Sequence, residues 1–490
     1  MTEITGLSAT ELRDRIARRD LSPVDLLAAV RRRVEWLNPH LNAFVEMRWE
    51  QAEAEAGAAE AQVARGGELP PLLGLPVGVK ESTDVEGLHT TQGSEIYADN
   101  IVMKDAAGVA ALRRAGALII GKTNVPELLQ GLTSRNTIYG LTRNAHDPEL
   151  SCLGSSGGSA VALSADMVPL ATGSDMGGSI RGPAAGNGTV GLRPSPGLVA
   201  REGSPIGFEV ASVTGPMARS VRDLMLLTAG MMCTSHLDPL SWRADSAPLL
   251  APRPAGLRGL RVAVSADLGC VKVEAGIRAR FEEVVAALAP DVGTLEWATP
   301  DLGPIVRAFN ILRPLSYLVA FGEIHDTAPE RLTPEKNVDL RRGHATTAAM
   351  IAEAQRDQTR AFRALASFLQ EWDVLITPGA SQPLMSLAEI DRRDAALRAD
   401  NARFGPRDYD FSRLPAPSIY TPLTWTAHPV ATIPTGRGVN GMPFGINRIG
   451  RHQGDVRLLE IALAFEEALG ASPGFGRPLP DLGRYGSPVG

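Results

Sequence analysis

Residues 154–185 read Gly154-Ser-Ser-Gly-Gly-Ser-Ala-Val-Ala-Leu-Ser-Ala-Asp-Met-Val-Pro-Leu-Ala-Thr-Gly-Ser-Asp-Met-Gly-Gly-Ser-Ile-Arg-Gly-Pro-Ala-Ala185. Two glycine/serine turns enclose an alanine-rich helical segment and a short strand that ends in Asp-Met-Gly-Gly-Ser. A flexible linker is the plain reading of glycine and serine runs, but linkers do not usually flank apolar, helix-patterned segments. Successive glycines let a backbone bend until several N–H groups converge on one point. That convergence is what an oxyanion hole requires.

Outward from this stretch, Leu75-Pro-Val-Gly-Val and Ala117-Leu-Ile-Ile look like buried strands, alternating with helical segments at 105–115 and 158–166. The alternation predicts α/β layers, three deep as α/β/α, around a large, mostly parallel mixed sheet. Further on, Leu260-Arg-Val-Ala-Val and then Glu274 to Ala287 read as strand and helix, and 343–372 as one long helix before the strand Asp373-Val-Leu-Ile-Thr. Upstream, Ser8 with Glu11 forms a capping box, and Ser22-Pro-Val-Asp repeats that logic. Residues 48–66 read as an exposed helix. One domain over 1–490 is expected, with a helical part at 1–66 and an irregular Pro/Gly-rich tail at 472–490. The polar, proline-containing segment 391–420 reads as a surface loop or lid.

Composition narrows the function. The 490 residues are 44% hydrophobic and 21% charged, which fits a globular chain with a large core. A net charge of −6 gives no basic surplus for nucleic acid. No apolar run approaches the ~18 residues of a membrane span. The N-terminus lacks a signal-peptide pattern. Three scattered cysteines, Cys152, Cys233 and Cys270, form neither a disulfide framework nor a Cys₄ metal site and suit a reducing cytosol. A cytoplasmic protein without metal or organic cofactor is expected.

Three patterns compete for the chemistry. Gly116-Ala-Leu-Ile-Ile-Gly-Lys-Thr matches a phosphate loop, yet its interior looks like the strand itself. Gly154-Ser-Ser-Gly-Gly matches a nucleophile elbow centred on Ser156, but no clean strand precedes it and no later histidine has a telling context. The third pattern is the pair of serine turns read together with Gly74-Leu-Pro-Val-Gly-Val-Lys80.

On these residues the stretch from Leu75 to Pro216 resembles the amidase-signature family. Gly74 to Lys80 is similar to its lysine segment, Ala115 to Asn124 to the strand before its signature, and Gly154–Ser159 and Gly173–Ala185 to its serine segments. Thr214-Gly-Pro-Met-Ala-Arg-Ser-Val-Arg-Asp closes the block. Weaker similarity continues through Asp373-Val-Leu-Ile-Thr-Pro and Gly441-Met-Pro-Phe-Gly-Ile.

The resemblance implies Ser179 as nucleophile, Ser155 as a bridging serine on a cis peptide, and Lys80 as base. It implies an oxyanion hole from the N–H groups of Met176, Gly177, Gly178 and Ser179, with Ser156, Asp175 and Arg181 in support. A lysine is a base only when neutral, and burial beside Val77 and Val79 would favour that. The implied reaction is acyl transfer from an amide, ester or carbamate to water. The implied partner is a small molecule, and a homo-oligomer is compatible. Departures from A-type amidotransferase subunits at Gly182, Gly186-Asn187 and Phe208-Glu-Val-Ala-Ser-Val favour a stand-alone hydrolase. Gly182 and Gly186 could leave room for a bulky acyl group; Arg135 could touch a substrate carboxylate, but an exposed arginine is the plainer reading. Three alternatives stay open: a non-catalytic binding protein of the same fold, an α/β-hydrolase using Ser156, and an amidotransferase subunit.

Overall fold

The computed structural model describes residues 4–401, 403–405 and 407–486. The strands, in chain order, are β1 (Phe44–Met47), β2 (Pro76–Lys80), β3 (Leu118–Thr123), β4 (Arg135–Asn136), β5 (Gly140–Leu141), β6 (Leu170–Asp175) and β7 (Val190–Arg193). They continue with β8 (Val213–Ala218), β9 (Arg261–Val264), β10 (Thr294–Trp297), β11 (Val374–Pro378), β12 (Val430–Arg437) and β13 (Pro443–Ile449). Eleven of them form one sheet in the order β1-β3-β2-β6-β8-β7-β12-β13-β11-β9-β10, and β4 pairs with β5 separately.

The α/β layers around a large mixed sheet are those the alternation implied. Parallel pairing occupies two flanks, β3-β2-β6 and β11-β9-β10. There the chain must cross over between neighbours, which takes a long connection, usually a helix; Ala107–Arg114 lies between β2 and β3, and Ala275–Leu288 between β9 and β10. The centre, from β6 to β11, and the β1 edge are antiparallel. Strands β2, β3, β11 and β13 are buried at every residue, so they read as apolar runs rather than as alternation.

The expected caps are in place: Ser8 Oγ accepts from Glu11 N at 3.1 Å and Ser22 Oγ from Val24 N at 3.0 Å. Other segments differ from the reading. The helical part at 1–66 also contributes β1 to the sheet edge. Helix Trp49–Arg65 buries Ala52, Ala56, Ala59 and Val63, a stripe at helical spacing. The long helix at 343–372 is two, Pro334–Ala345 and Ala348–Glu371, because Thr347 accepts from Met350 N and starts a new helix. Of the supposed loop at 391–420, the described residues after 401 are irregular apart from a short turn at Phe411–Arg413, while its start is helix, Leu387–Asn401. Its alanines, leucines, arginines and glutamate favour helix, but only Leu387 and Ile390 are buried, so no apolar stripe marks it. Residues 472–486 are irregular apart from a short turn at Gly483–Tyr485; 1–3 and 487–490 lie outside the described residues.

Three features position the site. Strands β2 and β6 are parallel neighbours, with Val77 opposite Leu170, so both end at one sheet edge, in Lys80 and Asp175. Carboxyl ends of strands are where α/β sheets bind ligands. Helix Gly157–Ser164 is buried along its length. A Cβ on Gly158 would lie 2.3 Å from Asn124 N, so only glycine lets this helix start so close to the end of β3.

Candidate active site

Burial of β2 carries Lys80 into the protein, where it is 0% exposed. Its backbone N–H donates to Thr172 Oγ1 at 3.0 Å. Its Nζ lies 2.7 Å from Ser155 Oγ, 3.0 Å from Ser156 Oγ, 2.9 Å from Ser174 Oγ and 3.4 Å from Ser174 O. Among the described residues no carboxylate touches Nζ. Burial therefore brings the Lys80 pKa down to about 7, against the opposing pull of Asp175 and Glu81. Near neutral pH a large fraction of Lys80 is the free amine, which can accept a proton.

Ser155 follows a cis peptide bond from Gly154 and is 3% exposed. Ser156 N–H donates to Ser179 O at 3.1 Å, tying the two serine turns together. Ser156 itself is fully buried, with its Oγ among Lys80 and Ser174. Among the described residues no strand leads directly into it, so the nucleophile-elbow arrangement is absent there. Ser179 stands in the turn after β6 and is only half-buried. Its hydroxyl closes no hydrogen bond among the described residues.

Asp175 organises that turn. Its Oδ1 accepts from Gly178 N at 3.0 Å and from Arg181 Nη2 at 2.8 Å; its Oδ2 accepts from Ile180 N at 3.1 Å and Arg181 Nε at 3.0 Å. Both members of the Asp175–Arg181 pair have fully buried side chains. Burial alone would push the carboxyl up, but Arg181, Arg193 and the Gly178 N–H hold it well below the usual carboxylate range. Of the four N–H groups expected to converge, that of Gly178 is thus directed at Asp175. Those of Met176, Gly177 and Ser179 carry no hydrogen bond among the described residues.

Several neighbours were not read from the sequence. Ser174 and Thr172, two apart on β6, meet Lys80; their own period-two spacing, on the face opposite to Asp175, was the available signal. Arg193 is fully buried and its Nη1 donates to Asp175 O at 2.8 Å. Tyr420 comes from far along the chain, with no local signal. Its ring lies under the Arg181 guanidinium at 5.3 Å and its hydroxyl donates to Gly379 O.

Tyr420 also limits the turn at residues 176–179. A Cβ on Gly178, which has φ +108°, would come within 2.5 Å of the Tyr420 ring, whereas one on Gly177 meets nothing nearer than Phe309 Cζ at 3.8 Å. Gly178→Ala is therefore expected to lose about 10²–10³-fold in kcat, the scale of a disrupted oxyanion hole, while Gly177→Ala keeps most activity. Side-by-side kinetics of the two variants checks this; equal losses would contradict it.

One expectation is corrected. The space beside Gly182 and Gly186 is not open. Tyr420 Oη would be 3.4 Å from a Cβ on Gly182, and Leu153 and Leu384 would be 2.9 and 3.1 Å from one on Gly186. The remaining cavity there is about 30 Å³. Arg135 is paired with Asp391 at 2.5 Å. The phosphate-loop pattern is strand β3, and its Lys122 Nζ donates to His89 O at 2.8 Å.

Comparison with known proteins gives the family. The family model described as Amidase matches residues 25–459. An acylamidase of Rhodococcus erythropolis is 32% identical over 95% of this chain and 96% of its own. The A-type subunit of a glutamyl-tRNA(Gln) amidotransferase of Thermus thermophilus is 33% identical over 94% and 97%. Among solved structures, a bacterial aryl acylamidase of the amidase-signature family has the same fold, with TM-score 0.82, 23% identity and coverage of 94% and 96%. The family match and the acylamidase relative indicate a hydrolase of carbon–nitrogen bonds other than peptide bonds. The chain belongs to the amidase family, in its amidase-signature form. Among the described residues, no helix is long and apolar enough to cross a membrane.

Proposed function

We propose that the protein is a stand-alone cytosolic amidohydrolase working through an acyl-enzyme on Ser179, with Ser155 as proton bridge and Lys80 as base. The observation that carries this reading is the buried Lys80 amine, 2.7 Å from Ser155 Oγ and touching no carboxylate among the described residues. A serine hydroxyl is a poor nucleophile until a base removes its proton. The free amine draws the Ser155 proton as Ser155 draws that of Ser179. The unengaged N–H groups of Met176, Gly177 and Ser179 stabilise the tetrahedral oxyanion. Asp175 and Arg181 hold the turn. Protonated Lys80 then returns its proton through Ser155 to the leaving nitrogen, and water repeats the cycle on the ester. Esters and carbamates pass through the same oxyanion and are accepted by the same machinery.

Treatment with a serine-reactive phosphonate, followed by peptide mass spectrometry, is expected to place the adduct on Ser179. An adduct on Ser156 would revive the elbow reading, and no adduct at all would favour a binding protein. The amidotransferase reading rests on the Thermus relative. It predicts glutamine-dependent ammonia release only with a second subunit, whereas the stand-alone reading predicts amide cleavage by the purified chain.

A further inference from the structure

A cavity of about 370 Å³ lies between helices Ile305–Thr327 and Pro334–Ala345 and the segment after residue 396. Among the described residues no member of either serine turn lines it, but two of its wall residues stand next to them. Phe309, on its wall, is the residue that faces Gly177. Gln130, also on its wall, precedes Gly131, whose carbonyl would lie 3.6 Å from a Cβ on Gly154.

Arg313 is set into this wall. Its Nε donates to Tyr317 Oη at 2.9 Å, and its guanidinium lies 5.4 Å from the Phe309 ring centre and 5.2 Å from that of Tyr317. Its two terminal nitrogens carry no hydrogen bond among the described residues. Several neighbouring charges are already engaged, and the wall also carries Glu335, Arg341, Arg393 and Asp400. Arg342 pairs with Asp339 and reaches Asn310 Oδ1 at 3.3 Å; Asp339 also accepts from Gln130 at 2.9 Å. Asp408 and Asp410 are turned to their own loop, accepting from Gly405 N and Ser412 N. Lys336 Nζ lies 3.4 Å over the Tyr317 ring behind Arg313; burial, and then Arg313, bring its pKa down to about 7, so near neutral pH it is only partly charged. A planar guanidinium held by aromatic rings, with both terminal nitrogens uncommitted, matches a carboxylate in bidentate fashion.

We infer that this cavity is an anion subsite and that the natural substrates are amides bearing a carboxylate, which Arg313 holds while the amide carbonyl meets the oxyanion turn. The inference rests on the hydrolase reading above. Arg313 is here a specificity residue, remote from the reacting atoms.

The test compares acid and neutral amides. One series is the mono-anilides of succinic, glutaric and adipic acids against branched-alkyl anilides of equal length. The other, with the anion on the amine side, is N-acyl ω-amino acids against N-acyl branched alkylamines. Wild type is expected to favour the acid in at least one series by about 10–100-fold in kcat/KM, the scale of a charge-assisted hydrogen bond. In Arg313→Met that ratio falls to about one, through a higher KM for the acid, and Arg313→Lys keeps part of it. No acid preference in wild type, or an unchanged ratio in Arg313→Met, overturns the inference. Calorimetry on Ser179→Ala separates it from the hydrolase reading. Arg313-dependent binding of the acid supports the subsite even if no amide is cleaved. Cleavage of neutral and acid amides alike leaves the hydrolase standing and removes the subsite.

Discussion

Lys80→Ala is expected to lower kcat/KM for an anilide by about 10⁴-fold and for the matched nitrophenyl ester by about 10²-fold, the two ends of the range for general acid–base assistance. Both substrates need the Ser179 proton removed. Only the anilide also needs a proton returned, because an amide nitrogen leaves poorly as an anion while nitrophenolate is stable. Wild-type kcat/KM should rise with pH through about 7, as the buried amine loses its proton, and Lys80→Ala should lack that limb. Stability follows the same group. Between about 7 and the ordinary lysine value the unfolded chain binds a proton that the folded chain does not, so Lys80 makes stability rise with pH across that window. Matched anilide and ester kinetics over pH, in both proteins, supply the check. Equal losses on the two substrates would show that Lys80 does not serve the leaving group.

Asp175→Asn is expected to destabilise the fold by about 3–5 kcal/mol, the usual result of removing one partner from a buried ion pair. Arg181 would remain fully buried without its counter-charge, and Arg193 would lose the nearby charge at 3.6 Å. The amide nitrogen of the substituted side chain would also face the Gly178 or Ile180 N–H, donor against donor. Because the Asp175 pKa is depressed in the folded chain, its contribution is present above the unfolded carboxylate value and is lost as pH falls towards the folded one. Urea unfolding of wild type and variant at neutral and acidic pH measures both effects. A change below about 1 kcal/mol, within the range of ordinary surface substitutions, would mean that Asp175 does not compensate the arginines. Phosphonate labelling of Ser179 should slow as well, since Asp175 sets the turn that presents it.

What could be read ahead of the structure was what local chemistry dictates. An apolar run ending in Lys80 forces that lysine into a buried strand. Asp-Met-Gly-Gly-Ser after a strand forces a tight turn. Ser8 and Ser22 cap their helices wherever those helices pack. The same logic stopped at 387–401, where high helix propensity carries almost no buried face, and at 346–347, where a cap residue outweighs continuous helical composition.

Residues 154–185, with Lys80, carried the resemblance that pointed to an enzyme and to its site side chains, while backbone preference and burial pattern, which are properties of neighbouring residues, indicated the strands and turns that bear them. Nothing local joins Asp175 to Arg193, Gly178 to Tyr420, or Gly177 to Phe309 and so to Arg313. Those meetings exist because β6 and β7 pack beside the same strand and because the helix that carries Phe309 and the helix start at Tyr420 close over the turn at residues 176–179. The chemistry of the reaction is therefore written in short segments. The walls that select a substrate arise from segments far apart in the chain, whose proximity is set by the packing of the whole sheet and its helices.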